Sequence, residues 1–134
     1  MSDASVLVHS PGLSSAEYFY SAVVAGGARL VFTAGACPLD TEGATVGIGD
    51  FRAQAEQVMA NLRTSLIDAG AALSDVVRAT IYVASSRQED LVAAWGVVRD
   101  AFAPNVPPST LLGVAALGYD DQLVEVEAVA ALPD

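Results

Sequence analysis

The sequence predicts an α+β domain with the element order β-β-α-β-α-β-β. Short runs rich in Val, Ala and Ile alternate with period two, which marks strands. Two longer stretches repeat their apolar residues at helical spacing. Two helices suffice to cover only one face of a sheet this size, so the fold is helices on one side and an open side opposite.

The clearest strand is the last, Leu123-Val-Glu-Val-Glu-Ala-Val-Ala-Ala131. Alternation puts Val124, Val126, Ala128 and Ala130 on one face, which is wholly apolar and needs cover. Leu123, Glu125, Glu127 and Val129 share the other face, with the two carboxylates about 6.6 Å apart along the strand. A functional site supported by this pattern uses that second face or its edge.

Along the chain, residues 1–16 are expected as a loosely structured lead-in with a turn at Ser10-Pro-Gly12. Residues 17–25 read as a strand, Gly26-Gly27 as a turn, and 29–33 as the second strand of a hairpin. Pro38 makes Cys37 extended, and 41–49 is a glycine-rich loop. Asp50 is expected to cap a long helix whose stripe is Phe51, Ala55, Val58, Met59, Leu62, Leu66 and Ile67, with Gly70 ending it. A strand follows over 75–84. Ser86-Arg-Gln-Glu89 has the pattern of a capping box for a second helix carrying Leu91, Ala94, Trp95, Val98 and Phe102. Pro104 and Pro107-Pro108 end that helix, and 110–117 reads as the strand before the last one.

The length, 134 residues, fits a single domain spanning 1–134. The hydrophobic fraction of 53% against 16% charged residues is more than a small interior hides easily, which favours a homo-oligomer. There is no lysine, and six arginines face sixteen acidic residues for a net charge of −10. Nucleic acid and anionic membrane surfaces are therefore not expected partners. The single cysteine, Cys37, and single histidine, His9, supply neither a zinc spacing nor a paired nucleophile. HExxH, GxGxxG and Walker patterns are absent, so no cofactor or metal is expected. The start lacks a signal-peptide pattern and no apolar stretch reaches the ~20 residues of a membrane span, so a cytoplasmic protein is expected.

Taken one at a time, the candidate residues have ordinary readings beside functional ones. Trp95 suits core packing, Cys37 a small buried filler, and Tyr18, Tyr20 and Tyr82 the sheet. Ser109 and Thr110 follow two prolines that stiffen their hydroxyls and amides. Glu125 is the strongest single candidate for chemistry.

In order and spacing, several segments resemble the YjgF/YER057c/UK114 (Rid) family, formerly called L-PSP endoribonucleases. They are Tyr20-Ser-Ala22, Leu30-Val-Phe-Thr-Ala-Gly-Ala-Cys-Pro-Leu-Asp40, Gln54-Ala-Glu-Gln-Val-Met-Ala-Asn-Leu62, Ala69-Gly-Ala71, Asp75-Val-Val77, Pro107-Pro-Ser-Thr110 with Gly113-Val114, and the last strand. The resemblance implies a chorismate-mutase-like subunit in a homotrimer, with small-molecule clefts between subunits. Active relatives hydrolyse enamine or imine intermediates such as 2-aminoacrylate to a 2-keto acid and ammonia. It implies Glu125 as the catalytic residue handling water or a proton, and Tyr20, Gly35, Cys37, Trp95 and Ser109 around the substrate, with Thr110 added as a substrate-binding candidate by the stiff approach that the two prolines give it. The sequence departs from the family pattern where Ser109 takes the place of a carboxylate-gripping arginine, Trp95 that of an asparagine and Ala36 that of a glutamine. Serine cannot reproduce a bidentate charge-assisted contact. Three functions follow as expectations: hydrolysis of a small enamine, imine or carbonyl compound assisted by Glu125, ligand binding without turnover, and the 2-aminoacrylate/2-iminopropionate deaminase activity of the family.

Overall fold

A computed structural model describes residues 3–134. Its strands are β1 (Ser5–Val8), β2 (Ser21–Val24), β3 (Arg29–Phe32), β4 (Val76–Val83), β5 (Ser109–Gly113) and β6 (Val124–Leu132), and its α-helices are α1 (Phe51–Asp68) and α2 (Gln88–Phe102), with a 3-10 turn at Leu73–Asp75 before β4. The main sheet has the order β3-β6-β4-β5, with β6 antiparallel to both neighbours and β4 parallel to β5 across the α2 connection.

Both helices lie on one face of this sheet, as the alternation of β6 requires. Val124, Val126 and Ala130 are fully buried and Ala128 nearly so, packed with Ala79, Ile81 and Val83 of β4. Over them lie Ala55, Val58, Leu62 and Leu66 of α1 and Ala94, Trp95, Val98 and Phe102 of α2. Asp50 caps α1 by accepting the Ala53 N–H at 3.0 Å. At the other end Gly70, at φ +87°, places its N–H on Ile67 O and the Ala71 N–H on Leu66 O, a Schellman ending that needs a left-handed residue.

Several local expectations are corrected. Residues 1–16 were expected as a loose lead-in, yet they contain β1, which pairs antiparallel with β2. The hairpin across Gly26-Gly27 does not form: β2 belongs to this separate two-stranded sheet, while β3 pairs with β6. A turn signal fixes where the chain bends but not which edge the next strand joins. The strand expected over 17–25 shrinks to Ser21–Val24, because Phe19 N–H goes to Val106 O and Tyr20 N–H to Val8 O. The strand expected over 110–117 is Ser109–Gly113, and the next residue gives its N–H to Val83 O. The expected box at Ser86 does not form: Arg87 takes the N-cap position of α2 without a side-chain cap. The Ser85 hydroxyl accepts the Arg87 N–H at 3.0 Å and donates to Asp90 at 2.7 Å, while Glu89 is drawn off into an ion pair with Arg87. Ile67 lies one step off the Leu62–Leu66 row and is 59% exposed.

The β1–β2 ribbon covers one end of the helix-free face, where Ala4 packs on Val77 and Ala131 with Ala22, Ala28 and Val129 beside them. Elsewhere that face stays open and leaves Leu30, Phe32 and Leu112 exposed. Arg78, Thr80 and Tyr82 of β4 stand on it beside Glu125 and Glu127 of β6.

One buried polar residue fixes the approach to β6. Gln54 of α1 is fully buried; its amide donates to Asp121 O at 2.8 Å and its carbonyl accepts the Leu123 N–H at 2.7 Å. Gln54→Ala is expected to orphan both backbone groups, at about 1–3 kcal/mol each. Urea unfolding checks this; a loss well under 1 kcal/mol would mean that water replaces the amide at no cost.

Candidate functional site

Glu125 projects from β6 onto the helix-free face, opposite Tyr82 of β4. The segment after β3 folds back on it through the bridge between Ala36 and Val126, which brings Gly35 and Cys37 to the carboxylate. The Cys37 thiol donates to Glu125 Oε1 at 3.3 Å, and the Gln122 amide donates to the same oxygen at 3.0 Å. Glu125 Oε2 lies against Gly35: a Cβ built there would sit 2.1 Å from it. Gly35 is thus required by the carboxylate above it, not by its backbone angles.

The chemistry of Cys37 follows from this setting. Burial first, then the hydrogen bond and charge of Glu125, push its thiol up to about 11, against a smaller opposite pull from Gln122. At neutral pH it is a neutral hydrogen-bond donor to the carboxylate and a poor nucleophile. Asn61 of α1 clamps the backbone of the same segment by donating to Cys37 O at 2.8 Å and Leu39 O at 2.9 Å.

A second group of expected residues gathers at the β5 edge of the sheet. A cavity of about 410 Å³ is lined by Tyr18, Trp95, Ser109, Thr110 and Leu111. Trp95 is 9% exposed, so it is both core and cavity wall. Its indole N–H donates to Glu17 at 3.0 Å, and Glu17 also pairs with Arg99. Those two contacts, the indole first, hold the Glu17 carboxyl below its ordinary range. The Ser109 hydroxyl donates to Pro107 O at 2.8 Å. The Thr110 hydroxyl lies 3.4 Å from the Arg78 guanidinium. Tyr20 stands one ring back from the cavity: its hydroxyl donates to Ser14 O at 2.6 Å, and its ring meets Tyr18 edge-on at 5.6 Å. Tyr18 in turn meets Trp95 edge-on at 6.1 Å.

Within one chain the expected residues therefore form two clusters. Glu125, Cys37 and Gly35 stand on the β6 side, and Trp95, Ser109 and Thr110 on the β5 side, with β4 between. Tyr18, weighed from the sequence as a sheet residue, lines the cavity instead. Gln122 belongs to the β6 cluster and was not singled out from the sequence. Gln122 carries no sequence signal, since glutamine is ordinarily exposed. Tyr82 donates to Glu127, and this bond, ahead of burial and charge, holds the phenol above its ordinary range. Among the described residues no group of three or more acidic, His or Cys side chains is arranged to hold a metal ion, and no helix is long and apolar enough to cross a membrane.

Two helices on one face of a mixed sheet, with a glutamate of the central antiparallel strand bound by the loop after β3, define an α+β protein of the YjgF-like fold. A family model described as Endoribonuclease L-PSP matches residues 12–132, and the chain belongs to that family, the Rid or YjgF proteins. A RutC family protein of Pyrococcus abyssi is 32% identical over 102 residues, 76% of this chain and 78% of the relative. Protein DfrA of Myxococcus xanthus is 33% identical over 124 residues, 92% of each chain. Among solved structures, the Rid-family protein YyfB of Yersinia pestis, described as of unknown function, has a TM-score of 0.89 at 28% identity, covering 96% of this chain and 99% of that one. RidA of a Psychrobacter species has a TM-score of 0.69 at 26% identity, covering 90% and 92%.

Proposed function

We propose that this Rid protein is a homotrimer whose clefts between subunits hydrolyse a small uncharged enamine, imine or carbonyl compound. The observation that carries this reading is the Glu125 carboxylate, bonded through one oxygen to Cys37 and Gln122 and leaving the other without a donor among the described residues. A carboxylate so placed can take a proton from water as it attacks the imine carbon. It passes that proton to the nitrogen to give a carbinolamine. It then takes the hydroxyl proton and delivers it to the nitrogen as the carbon–nitrogen bond breaks, so that ammonia leaves and a carbonyl remains. An enamine enters this sequence as its imine tautomer.

The trimer is supported by the open part of the helix-free face, where exposed Leu30, Phe32 and Leu112 need cover. It would also bring the β6 cluster of one subunit towards the β5 cluster of its neighbour and so assemble the divided site. Sedimentation equilibrium is expected to give three chains per particle at micromolar concentration; a stable monomer would overturn the assembly and the cleft together.

An uncharged ligand follows from the cavity wall. Tyr18, Trp95 and Leu111 offer apolar surface, and Ser109 stands where the family resemblance places an arginine, its hydroxyl already committed to Pro107. Wild-type protein is expected to clear freshly generated 2-iminopropionate poorly and a neutral enamine faster, with ammonia release as the measure. Rapid clearance of the anion would show that another group receives the carboxylate. Saturable binding of neutral carbonyl compounds without ammonia release would favour a binding protein, the reading that the aromatic cavity alone supports. RNA cleavage is not proposed, because a chain of charge −10 without lysine offers no surface for a phosphate backbone.

A further inference from the structure

We infer that Gln122 is a positioning residue for Glu125: its amide, with the Cys37 thiol, commits one carboxylate oxygen to the protein and presents the other, over Gly35, to the ligand. The inference deepens the proposed hydrolase and rests on Glu125 as its base.

Gln122 is 5% exposed, so its side chain has almost no water to fall back on. Its carbonyl oxygen accepts the Tyr119 N–H at 3.1 Å. That bond settles which end of the amide is which, because a reversed side chain would set an NH₂ against an N–H. The nitrogen must then face Val124 O at 3.2 Å and Glu125 Oε1 at 3.0 Å, and both amide protons are used. With the Cys37 thiol at 3.3 Å, Oε1 receives two donors. Among the described residues no hydrogen bond reaches Oε2, the oxygen that lies on Gly35.

A turn brace would explain the bonds to Tyr119 and Val124 but not the one to Glu125. The turn also has another brace, since Gln54 already holds Asp121 O and the Leu123 N–H from α1. The contact with Glu125 is therefore the one that the turn itself does not need. Its chemical effect is specific: a fixed carboxylate keeps its free oxygen on the attacking water.

The test is an NMR titration of the Glu125 carboxyl carbon, assigned by its disappearance in Glu125→Gln. It needs no substrate, so its failure is distinct from failure of the hydrolase reading. Replacing the donor by an isosteric apolar group, Gln122→Leu, is expected to displace the Glu125 carboxyl-carbon resonance and its titration curve from those of the wild type, because Oε1 loses one of its two donors. In Gln122→Glu the two carboxylates compete for ionisation, so the Glu125 titration splits into two coupled steps. If Gln122→Leu does not fold, Gln122→Glu alone decides. Where a neutral enamine is turned over, the acid limb of the pH profile in Gln122→Leu moves with the titration, and kcat falls more than KM changes. A Glu125 titration unchanged in the folded variants would overturn the inference and leave Gln122 as a turn brace. A shifted titration with no turnover in any variant, wild type included, would uphold the positioning and reject the hydrolase.

Discussion

Glu125→Gln is expected to lower turnover of a hydrolysable neutral enamine or imine by ~10²–10⁴-fold, the usual contribution of a positioned general base. The fold should survive, because the substituted side chain keeps a carbonyl oxygen that can accept from both Cys37 and Gln122. The substitution also has a signature that needs no substrate. Glu125 is the second and third cause, after burial, of the Cys37 thiol standing at about 11. A neutral amide removes the charge, so the thiol pKa falls towards its ordinary value and the thiolate fraction at neutral pH rises. Alkylation by a small neutral haloacetamide should therefore speed up in Glu125→Gln. Faster alkylation with undiminished turnover would show that the carboxylate neighbours the thiol but is not the base.

Gly35→Ala is expected to cost about as much activity by another route. The backbone accepts alanine, since Gly35 is not among the glycines with positive φ. The methyl group, however, would sit 2.1 Å from Oε2 and 2.6 Å from the carboxyl carbon of Glu125. The carboxylate must swing away and give up the Cys37 and Gln122 contacts. Stability should change by only about 1 kcal/mol per lost hydrogen bond, because Gln122 keeps Val124 O and Tyr119 N–H as partners. Thermal unfolding and the enamine assay, run together, separate the two effects. Wild-type turnover in a folded Gly35→Ala would mean that the position of Glu125 over Gly35 is not the working one.

The parts of the fold legible in the sequence were those governed by a local period. The buried face of β6 and the Val58–Leu62–Leu66 row of α1 follow directly from alternation and helical spacing. Asp50 and Gly70 were legible because a cap is a local hydrogen-bond requirement. Strand partners were not: nothing near Gly26-Gly27 states that β2 pairs with β1 and β3 with β6. The run Val6-Leu-Val8 held a strand signal, but too short a one to stand out from its polar surroundings. The site divides similarly. Alternation set the face of Glu125, whereas Cys37, 88 residues earlier in the chain, was placed near it only by resemblance to a family. Gln54 and Gln122 escaped because burial of an amide depends on backbone groups that only the folded chain brings within reach.

The place of β6 in the sheet has a consequence for how the protein is made. It stands between β3 and β4, and it leaves the ribosome after every other strand of that sheet. Until then β3 lacks its only partner in the sheet and β4 has an unpaired edge, so a nascent chain stalled before Val124 presents open backbone to its neighbours. Pairings between such distant segments also form slowly. The same strand delivers Glu125, so partly synthesised chains lack the carboxylate as well as the central strand, and completion of the sheet and completion of the site are one event.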